Sequence, residues 1–299
     1  MEQSNDRPFP ALTPAQRYYF EVNGYVVVPD VLSRDECGSI HDALQRTKKE
    51  IRSRPADYEK QPAEARFLGD HPHHVFIGEI LQADPLYTSY ATHPRLVGMV
   101  EEVIGGDARI VEMNAHINTR DSKYDPNEKP KFGFHNGIDV PYGSHTKNGL
   151  FHCSFVKTLT NVTDLGRDDG GTVVVAGSHK LDVPLKEMID AAYEDPKLIH
   201  QVIAPAGSTL LFAETLIHAT GQLRSDNERV IIICGYGASM YPHWGEDKLT
   251  PGFAAEIPPH LQILFHGKAH WTRGPKYRAL ADPVDSRQFT LADGWYLGK

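Results

Sequence analysis

The stretch Thr209-Leu-Leu-Phe-Ala-Glu-Thr-Leu-Ile-His218 is strongly apolar and is followed, after the turn Ser225-Asp-Asn-Glu228, by a second apolar stretch, Arg229-Val-Ile-Ile-Ile-Cys234. Runs of apolar, aromatic and β-branched residues bounded by Asp, Asn and Gly are typical of β-strands. We therefore predict two antiparallel neighbouring strands. In such a hairpin, His218 at the end of the first strand and Arg229 at the start of the second would lie side by side.

Further strand-like stretches lie on both sides of this hairpin. Residues 108–120 alternate between polar and apolar side chains, and turn sequences such as Asp168-Asp-Gly-Gly171 separate the later stretches. Strands that follow one another without intervening helices favour a sandwich or a jelly roll over a parallel α/β sheet. We predict strands over residues 108–120, 132–140, 150–160, 172–176, 208–219 and 229–236.

Helices are expected mainly before these strands. Thr13-Pro14 is typical of a helix start and Asn23-Gly24 of a helix end. The following Tyr25-Val-Val-Val28 is expected to form a short strand. Further predictions are a helix that starts at the capping box Ser33-Arg-Asp-Glu36, a helix over Pro94 to Ile104 and a surface loop over residues 55–72.

Together these patterns predict a mainly β protein with flanking helices. The expected architecture is a double-stranded β-helix, which is a cupin-like jelly roll. A chain of 299 residues suits one domain of this kind. We expect a single domain over residues 1–299, with N-terminal helices and a C-terminal tail that is helical or irregular.

Composition indicates a globular protein. Hydrophobic residues make up 40% and charged residues 23%, and the net charge is -8. Because no block of Lys and Arg is present, a nucleic-acid partner is not expected. Cys37, Cys153 and Cys234 are too far apart for a CxxC zinc motif, and three cysteines do not form an even disulfide framework. We expect a cytoplasmic location, with neither a signal sequence nor a membrane span.

Three residues on the predicted strands suggest a metal site. His135 lies in Lys131-Phe-Gly-Phe-His135, while His218 and Arg229 lie in the hairpin. Two imidazoles and one carboxylate on one face suit iron(II) and leave positions open for a chelating co-substrate and for oxygen. The distal carboxylate of 2-oxoglutarate would need a bidentate arginine, which Arg229 would provide.

Several motifs resemble those of one known family. The opening Phe20-Glu-Val-Asn-Gly-Tyr-Val-Val-Val-Pro29, the stretch Asp169-Gly-Gly-Thr-Val-Val-Val-Ala-Gly-Ser-His-Lys180, and the pair His218 and Arg229 are similar to the phytanoyl-CoA dioxygenase family. This family is part of the iron(II)/2-oxoglutarate oxygenase superfamily. The resemblance covers roughly residues 15 to 240.

The resemblance implies a jelly roll with iron(II) at one mouth of the barrel. It implies His135 and His218 as iron ligands and Arg229 as the residue that binds 2-oxoglutarate. Thr220 is implied as a helper hydroxyl near the co-substrate, and Asn118 and Arg120 as further residues that contact it.

The sequence departs from the family pattern at the third iron ligand. The family motif is His-x-Asp, whereas this chain has His135-Asn-Gly137. One explanation is an open position that a chloride ion could fill, as in iron/2-oxoglutarate halogenases. Another is a replacement carboxylate, either Asp139 or Glu214, and for Glu214 a bend in the strand would be needed because four residues of strand span about 13 Å. A third explanation is a site that no longer catalyses any reaction.

These alternatives lead to three functional hypotheses. The first is an iron(II)/2-oxoglutarate oxygenase that hydroxylates a C–H bond of a small molecule. The second is a halogenase that uses the open position at Gly137. The third is an inactive jelly-roll binding protein.

Overall fold

The computed structural model describes residues 11–137, 143–147, 149–243, 249–268 and 290–294. Its helices are α1 (Pro14–Asn23), α2 (Arg34–Ser53), α3 (Pro85–Ala91), α4 (Pro94–Ile104), α5 (Leu185–Glu194), α6 (Pro251–Glu256) and α7 (Gln262–His266). Its strands are β1 (Tyr25–Val28), β2 (Arg66–His71), β3 (His74–Gly78), β4 (Ala108–Asn118), β5 (Ser144–Lys147), β6 (Leu150–Cys153), β7 (Phe155–Asn161), β8 (Val173–Val175), β9 (Ile199–Gln201), β10 (Thr209–Ala213), β11 (His218–Ala219) and β12 (Arg229–Ala238). In these ranges no helix is both long and apolar enough to cross a bilayer.

Two antiparallel sheets form the jelly roll. The large sheet has seven strands in the order β1-β10-β7-β12-β4-β3-β2, and the small sheet has three in the order β11-β8-β9. A separate hairpin joins β5 and β6. The non-sequential strand order is what a jelly roll produces, and the predicted fold class with its flanking helices is confirmed.

The large sheet is buried on both faces, and β12 shows this most clearly. Val230, Ile232 and Cys234 pack into the core that the helices share with this sheet. Ile231 and Ile233 point the other way, into a second core that includes residues of the small sheet. Successive strand residues point to opposite faces, so Arg229 lies on the same face as Ile231, between the two sheets.

The N-terminal helices begin at the residues that local sequence signals predict. Thr13 and Gln16 form a capping box at the start of α1, and Gly24 ends this helix with a φ of 80°. Ser33 and Glu36 form the capping box of α2. Gly24 leads directly into β1, which pairs with β10 at the edge of the large sheet.

The predicted strand over residues 208–219 is interrupted. Strand β10 ends at Ala213, whose carbonyl accepts a hydrogen bond from the N–H of Leu216 in a turn. The chain then enters the small sheet, where His218 pairs with Val174. The predicted hairpin is therefore wrong, since β11 and β12 lie in different sheets and His218 and Arg229 approach the space between the sheets from opposite sides.

Other predicted strands also differ from the structure. Where residues 132–140 were expected to form a strand, the described part, which ends at residue 137, makes only an isolated bridge from His135 to His218. Residues 55–72 were predicted as a loop, but Arg66–His71 pairs with β3 as an edge strand. The strand over residues 150–160 divides at Ser154, whose N–H bonds the carbonyl of Gly143. In each case hydrogen bonds between separate segments of the chain decide the outcome.

Candidate functional site

Two histidines meet where the loop before β5 passes β11. The N–H of His135 donates to the carbonyl of His218 at 3.0 Å, and the N–H of His218 donates back to the carbonyl of His135 at 2.9 Å. Their ring centroids are 4.3 Å apart. Residues paired in this way on antiparallel segments project their side chains to the same face. The structure therefore brings the two predicted imidazole ligands together.

Backbone carbonyls orient both imidazole rings. Nδ1 of His135 lies 3.0 Å from the carbonyl of Gly133, and Nδ1 of His218 lies 2.8 Å from the carbonyl of Leu216. A carbonyl only accepts, so both Nδ1 atoms carry a proton, and in a neutral ring this leaves Nε2 as the atom that can bind a metal ion. Metal-binding histidines are commonly oriented by such hydrogen bonds.

Burial keeps one of these rings neutral. It lowers the pKa of His218 to about 3, and the neighbouring His135 lowers it further in the same direction. A neutral imidazole is the form that binds a metal ion. His218 is therefore ready to act as a ligand at neutral pH.

The residue that would provide a third metal ligand is less clearly placed than the two histidines. Among the residues that the structure describes, no group of three His, Cys, Asp or Glu side chains already converges as a metal cluster. Asp139, one of the two predicted carboxylates, lies outside the described residues. Glu214, the other, lies next to Gly137.

The side chain of Glu214 fills the space that a side chain at position 137 would take. The N–H of Gly137 donates to the carbonyl of Glu214 at 2.8 Å. A Cβ atom at position 137 would overlap Oε2 of Glu214. Gly137 is not among the glycines with positive φ, so the space and not the backbone conformation requires a glycine here. A carboxylate from another segment thus lies where the side chain of an aspartate at position 137 would begin.

Glu214 is buried and forms an ion pair. Its side chain is 1% exposed, and its Oε1 lies 3.3 Å from Nζ of Lys157. Nζ of Lys157 also lies 2.9 Å from Oε1 of Glu112. Burial would lower the pKa of Lys157, but attraction to Glu214 and Glu112 raises it. The ammonium group therefore stays charged.

Arg229 is a buried cation without an anionic partner among the described residues. It is 1% exposed, and its Nη2 donates to the hydroxyl of Thr172 at 3.3 Å. The amide of Asn118, with its oxygen turned to the guanidinium, accepts from Nη1 at 3.2 Å. Burial lowers the pKa of Arg229 to about 10, so it is still a cation at neutral pH. Because an unpaired buried charge is costly, this arrangement indicates a site for an anionic ligand.

Asn118, which is expected to contact the co-substrate, is the register partner of Arg229 on β4 and β12. Arg120 is placed elsewhere. Its side chain is 39% exposed, pairs with Asp226 at 2.5 Å and donates to the carbonyl of Arg224. The structure therefore does not bring Arg120 to Asn118 and Arg229, because the loop before β12 holds it at the surface. Thr220 follows β11 and is exposed.

Aromatic rings form one wall of the space next to Arg229. Phe76, His116 and His74 are stacked, with ring centroids 4.2 Å and 5.1 Å apart along the series. Burial, and then the charge of Arg229, lowers the pKa of His116 well below its ordinary value. This wall is neutral and flat at neutral pH.

Sequence reasoning missed Lys157, Glu112 and Thr172. A signal for Lys157 existed, since it is the charged residue in the otherwise uncharged strand Phe155-Val-Lys-Thr-Leu-Thr-Asn161. Glu112 stood in the recognised alternation of β4, on the same face as Asn118. No local pattern could show that these residues meet across a third strand.

A jelly roll with two oriented imidazoles, a buried carboxyl group and a buried arginine is typical of iron(II)/2-oxoglutarate oxygenases. The family model described as phytanoyl-CoA dioxygenase matches residues 20–231. The chain belongs to the phytanoyl-CoA dioxygenase family. The cofactors of this class are iron(II) and 2-oxoglutarate, as expected from the sequence.

Individual relatives are distant in sequence. The peroxisomal phytanoyl-CoA dioxygenase of Rattus norvegicus is 25% identical over 246 residues, which are 76% of this chain and 69% of the relative. HygX from Streptomyces hygroscopicus, solved with nickel, 2-oxoglutarate and hygromycin B, has a TM-score of 0.62 at 23% identity and covers 81% of this chain and 94% of its own. EctD from S. alaskensis, solved with 2-oxoglutarate and 5-hydroxyectoine, has a TM-score of 0.58 at 19% identity and covers 90% and 88%. These two structures share the fold.

Proposed function

We propose that this protein hydroxylates a C–H bond of a small molecule, with iron(II) held by His135, His218 and Glu214 and with 2-oxoglutarate held by Arg229. The position of Glu214 is the observation that carries the proposal. Its carboxylate lies where the side chain of the motif aspartate would begin. Two imidazoles and a carboxylate are the donor set that iron(II) oxygenases use.

The same observation favours hydroxylation over halogenation. A halide needs an uncharged open position beside Gly137, and a buried carboxylate there would repel it. Chloride is therefore not part of the proposal. Asp139 is the competing carboxylate, and the variants below separate it from Glu214.

Each of the proposed site residues has a defined task in this function. Bound iron(II) and 2-oxoglutarate would supply the oxidant from dioxygen. His135 and His218 present Nε2 to the metal because their Nδ1 atoms are bonded to backbone carbonyls. Arg229 neutralises the distal carboxylate of the co-substrate, while Asn118 and Thr172 hold the guanidinium in place. Ile231 and Ile233 keep water from the space between the sheets.

The substrate is proposed to be a small organic molecule because the neighbouring structures were solved with such molecules. HygX was solved with hygromycin B and EctD with 5-hydroxyectoine. The stacked wall of Phe76, His116 and His74 offers a flat contact surface of the kind that small-molecule sites use. Thr220 keeps its predicted role as a hydroxyl near the co-substrate.

The test measures succinate and metal binding separately. The protein is mixed with iron(II), 2-oxoglutarate and air, with and without chloride, and succinate is quantified. Metal affinity is measured without oxygen for the wild type, Glu214→Gln and Asp139→Asn. We expect succinate from the wild type irrespective of chloride, and weaker metal binding in Glu214→Gln only. Weaker binding in Asp139→Asn only would replace Glu214 by Asp139, and an absence of succinate would favour a binding protein without catalysis.

A further inference from the structure

Lys157 is a cation shared by two buried glutamates. Its Nζ lies 2.9 Å from Oε1 of Glu112 and 3.3 Å from Oε1 of Glu214. Side-chain exposure is 21% for Lys157, 11% for Glu112 and 1% for Glu214. One ammonium group thus serves two carboxyl groups, and one of these carboxyl groups lies beside Gly137.

The two glutamates are not held equally. Oε2 of Glu112 accepts a further hydrogen bond from the amide of Asn114 at 2.7 Å. Oε1 of Glu214 has an ion pair with Lys157 but no hydrogen bond from the described part of the chain. Glu112 is thus anchored on two sides, whereas Glu214 depends on Lys157 alone for its compensating charge.

The network needs space that two glycines provide. Strand β12 lies between β4, which carries Glu112, and β7, which carries Lys157. Glu112 reaches across β12 at Gly235, where a Cβ atom would lie 2.7 Å from Cγ of Glu112. Glu214 in turn lies in the space left by Gly137. The sequence thus provides room on both sides for carboxylates that approach one lysine.

We propose that Lys157 is a positioning residue that holds Glu214 in the metal-free protein and gives this carboxylate up when a divalent metal ion binds. This inference rests on the proposed function, in which Glu214 is a metal ligand. Glu112 keeps Lys157 charged and in place after Glu214 has turned to the metal. The ammonium group and the metal ion therefore compete for one carboxylate.

This competition predicts opposite effects for the two partners of Glu214. In Lys157→Gln the carboxylate has no competing cation, so the metal binds more tightly. In Glu112→Gln the lysine has only Glu214 left as an anionic partner, so it holds Glu214 more firmly and the metal binds more weakly. We expect changes of about 3- to 30-fold in each direction, which lies within the range of coupling found between contacting residues.

The experiment is an oxygen-free titration with cobalt(II), followed by its visible absorption, on the full-length protein. The variants are Lys157→Gln, Glu112→Gln, Glu214→Gln and the double variant Lys157→Gln/Glu214→Gln. Lys157→Met, which keeps the apolar part of the side chain, serves as a second replacement. The control is Lys180→Gln, because Lys180 pairs with Glu21 at the surface, 2.9 Å away.

Two results separate the inference from the proposed function. If Glu214→Gln binds cobalt(II) as the wild type does, Glu214 is not a ligand and the proposed function fails. If Glu214→Gln binds more weakly but Lys157→Gln has the same effect with and without Glu214, Lys157 acts through its charge alone and the inference fails. The inference is supported when replacement of Glu214 abolishes the effect of Lys157→Gln.

Thermal unfolding without metal gives an independent readout. Lys157→Gln leaves two buried carboxylates without a cation, so its Tm falls below that of the wild type. Removal of Glu214 in the double variant restores part of the loss. A metal-free Lys157→Gln protein with unchanged Tm would overturn the view that Lys157 compensates Glu214.

Discussion

Gly137 contacts Glu214 through a backbone hydrogen bond and also lies against the side chain of Glu214. The N–H of Gly137 donates to the carbonyl of Glu214 at 2.8 Å, and the carboxylate of Glu214 fills the space of the missing side chain at position 137. The absence of an aspartate at position 137 and the presence of a buried glutamate at position 214 are therefore linked, because both side chains would need the same space. Either residue restricts what the other can be.

The first prediction concerns Gly137→Ala. The added methyl group overlaps Oε2 of Glu214, so the carboxylate must move, and we expect weaker metal binding and a loss of about 1–3 kcal/mol in the free energy of unfolding. Urea unfolding and anaerobic metal titration measure the two effects. Gly133→Ala is the matched control, because a Cβ atom at Gly133 has no neighbour within 4 Å.

The second prediction moves the carboxylate back to the motif position. Gly137→Asp alone places two carboxylates in one space, so we expect it to unfold more easily than the wild type. Gly137→Asp/Glu214→Ala removes the overlap and restores the family motif, so metal affinity returns to within about tenfold of the wild type. A double variant that binds metal no better than Glu214→Ala would contradict this expectation.

The third prediction concerns the buried arginine. In Arg229→Gln the affinity for 2-oxoglutarate, measured by calorimetry with metal and without oxygen, should fall about 10- to 150-fold, because hydrogen bonds to charged groups contribute about 1.5–3 kcal/mol. The stability of the ligand-free protein should not fall, since an unpaired buried cation is removed. Arg224→Gln, an exposed arginine in the preceding turn, is the control and should bind normally.

Thr172 provides a graded version of the same test. Thr172→Val keeps the shape of the side chain but removes the hydroxyl that accepts from Arg229. We expect 2-oxoglutarate affinity to fall about 2- to 10-fold, the effect of one ordinary hydrogen bond of about 0.5–1.5 kcal/mol. A loss as large as that of Arg229→Gln would show that Thr172 binds the co-substrate directly.

The fifth prediction concerns the pH dependence of the free energy of unfolding, and it involves a residue outside the site. Burial raises the pKa of Glu102 to about 7, although its carboxylate accepts a hydrogen bond from the N–H of Leu12 at 2.9 Å. Between pH 4.5 and about 7 the folded protein holds a proton that the unfolded chain has released, so this group's contribution to stability falls as pH rises through that window. The change is about 3 kcal/mol at most.

Glu102→Gln isolates this contribution. The difference in the free energy of unfolding between variant and wild type should grow in favour of the variant from pH 5 to pH 8. Urea unfolding of the metal-free protein at several pH values measures it, with Glu59→Gln as an exposed control. A difference that does not change with pH would show that Glu102 is not protonated in the folded protein.

Much of the fold could be predicted because it depends on local signals. The capping boxes at Thr13 and Ser33 set the starts of α1 and α2, and alternation identified β4. The turn after Ala213 could not be predicted, because it depends on hydrogen bonds from Glu214 to Phe155 and from Gly137 to Glu214, which are far apart in the chain. Apolar continuity therefore suggested one strand where there are two.

The site, like the fold, could be predicted from the sequence only in part. His135, His218 and Arg229 were found from motifs, and Asn118 from its place on the strand before the His135 motif. The structure brings them together in two pairs, His135 with His218 and Asn118 with Arg229. Lys157 could not be assigned, because its partners come from β4 and from the turn after β10. Arg120 was misplaced because Asp226, in the turn before β12, binds it at the surface.

The end of strand β10 at Ala213, where a turn begins, has a consequence for how such proteins are recognised. A search along the sequence for a histidine and an acidic residue two places later would count this chain as defective. In three dimensions, a carboxyl group from another part of the polypeptide lies beside Gly137. Inventories of active and inactive relatives should therefore compare where oxygen atoms lie in three dimensions and not which column of an alignment they occupy.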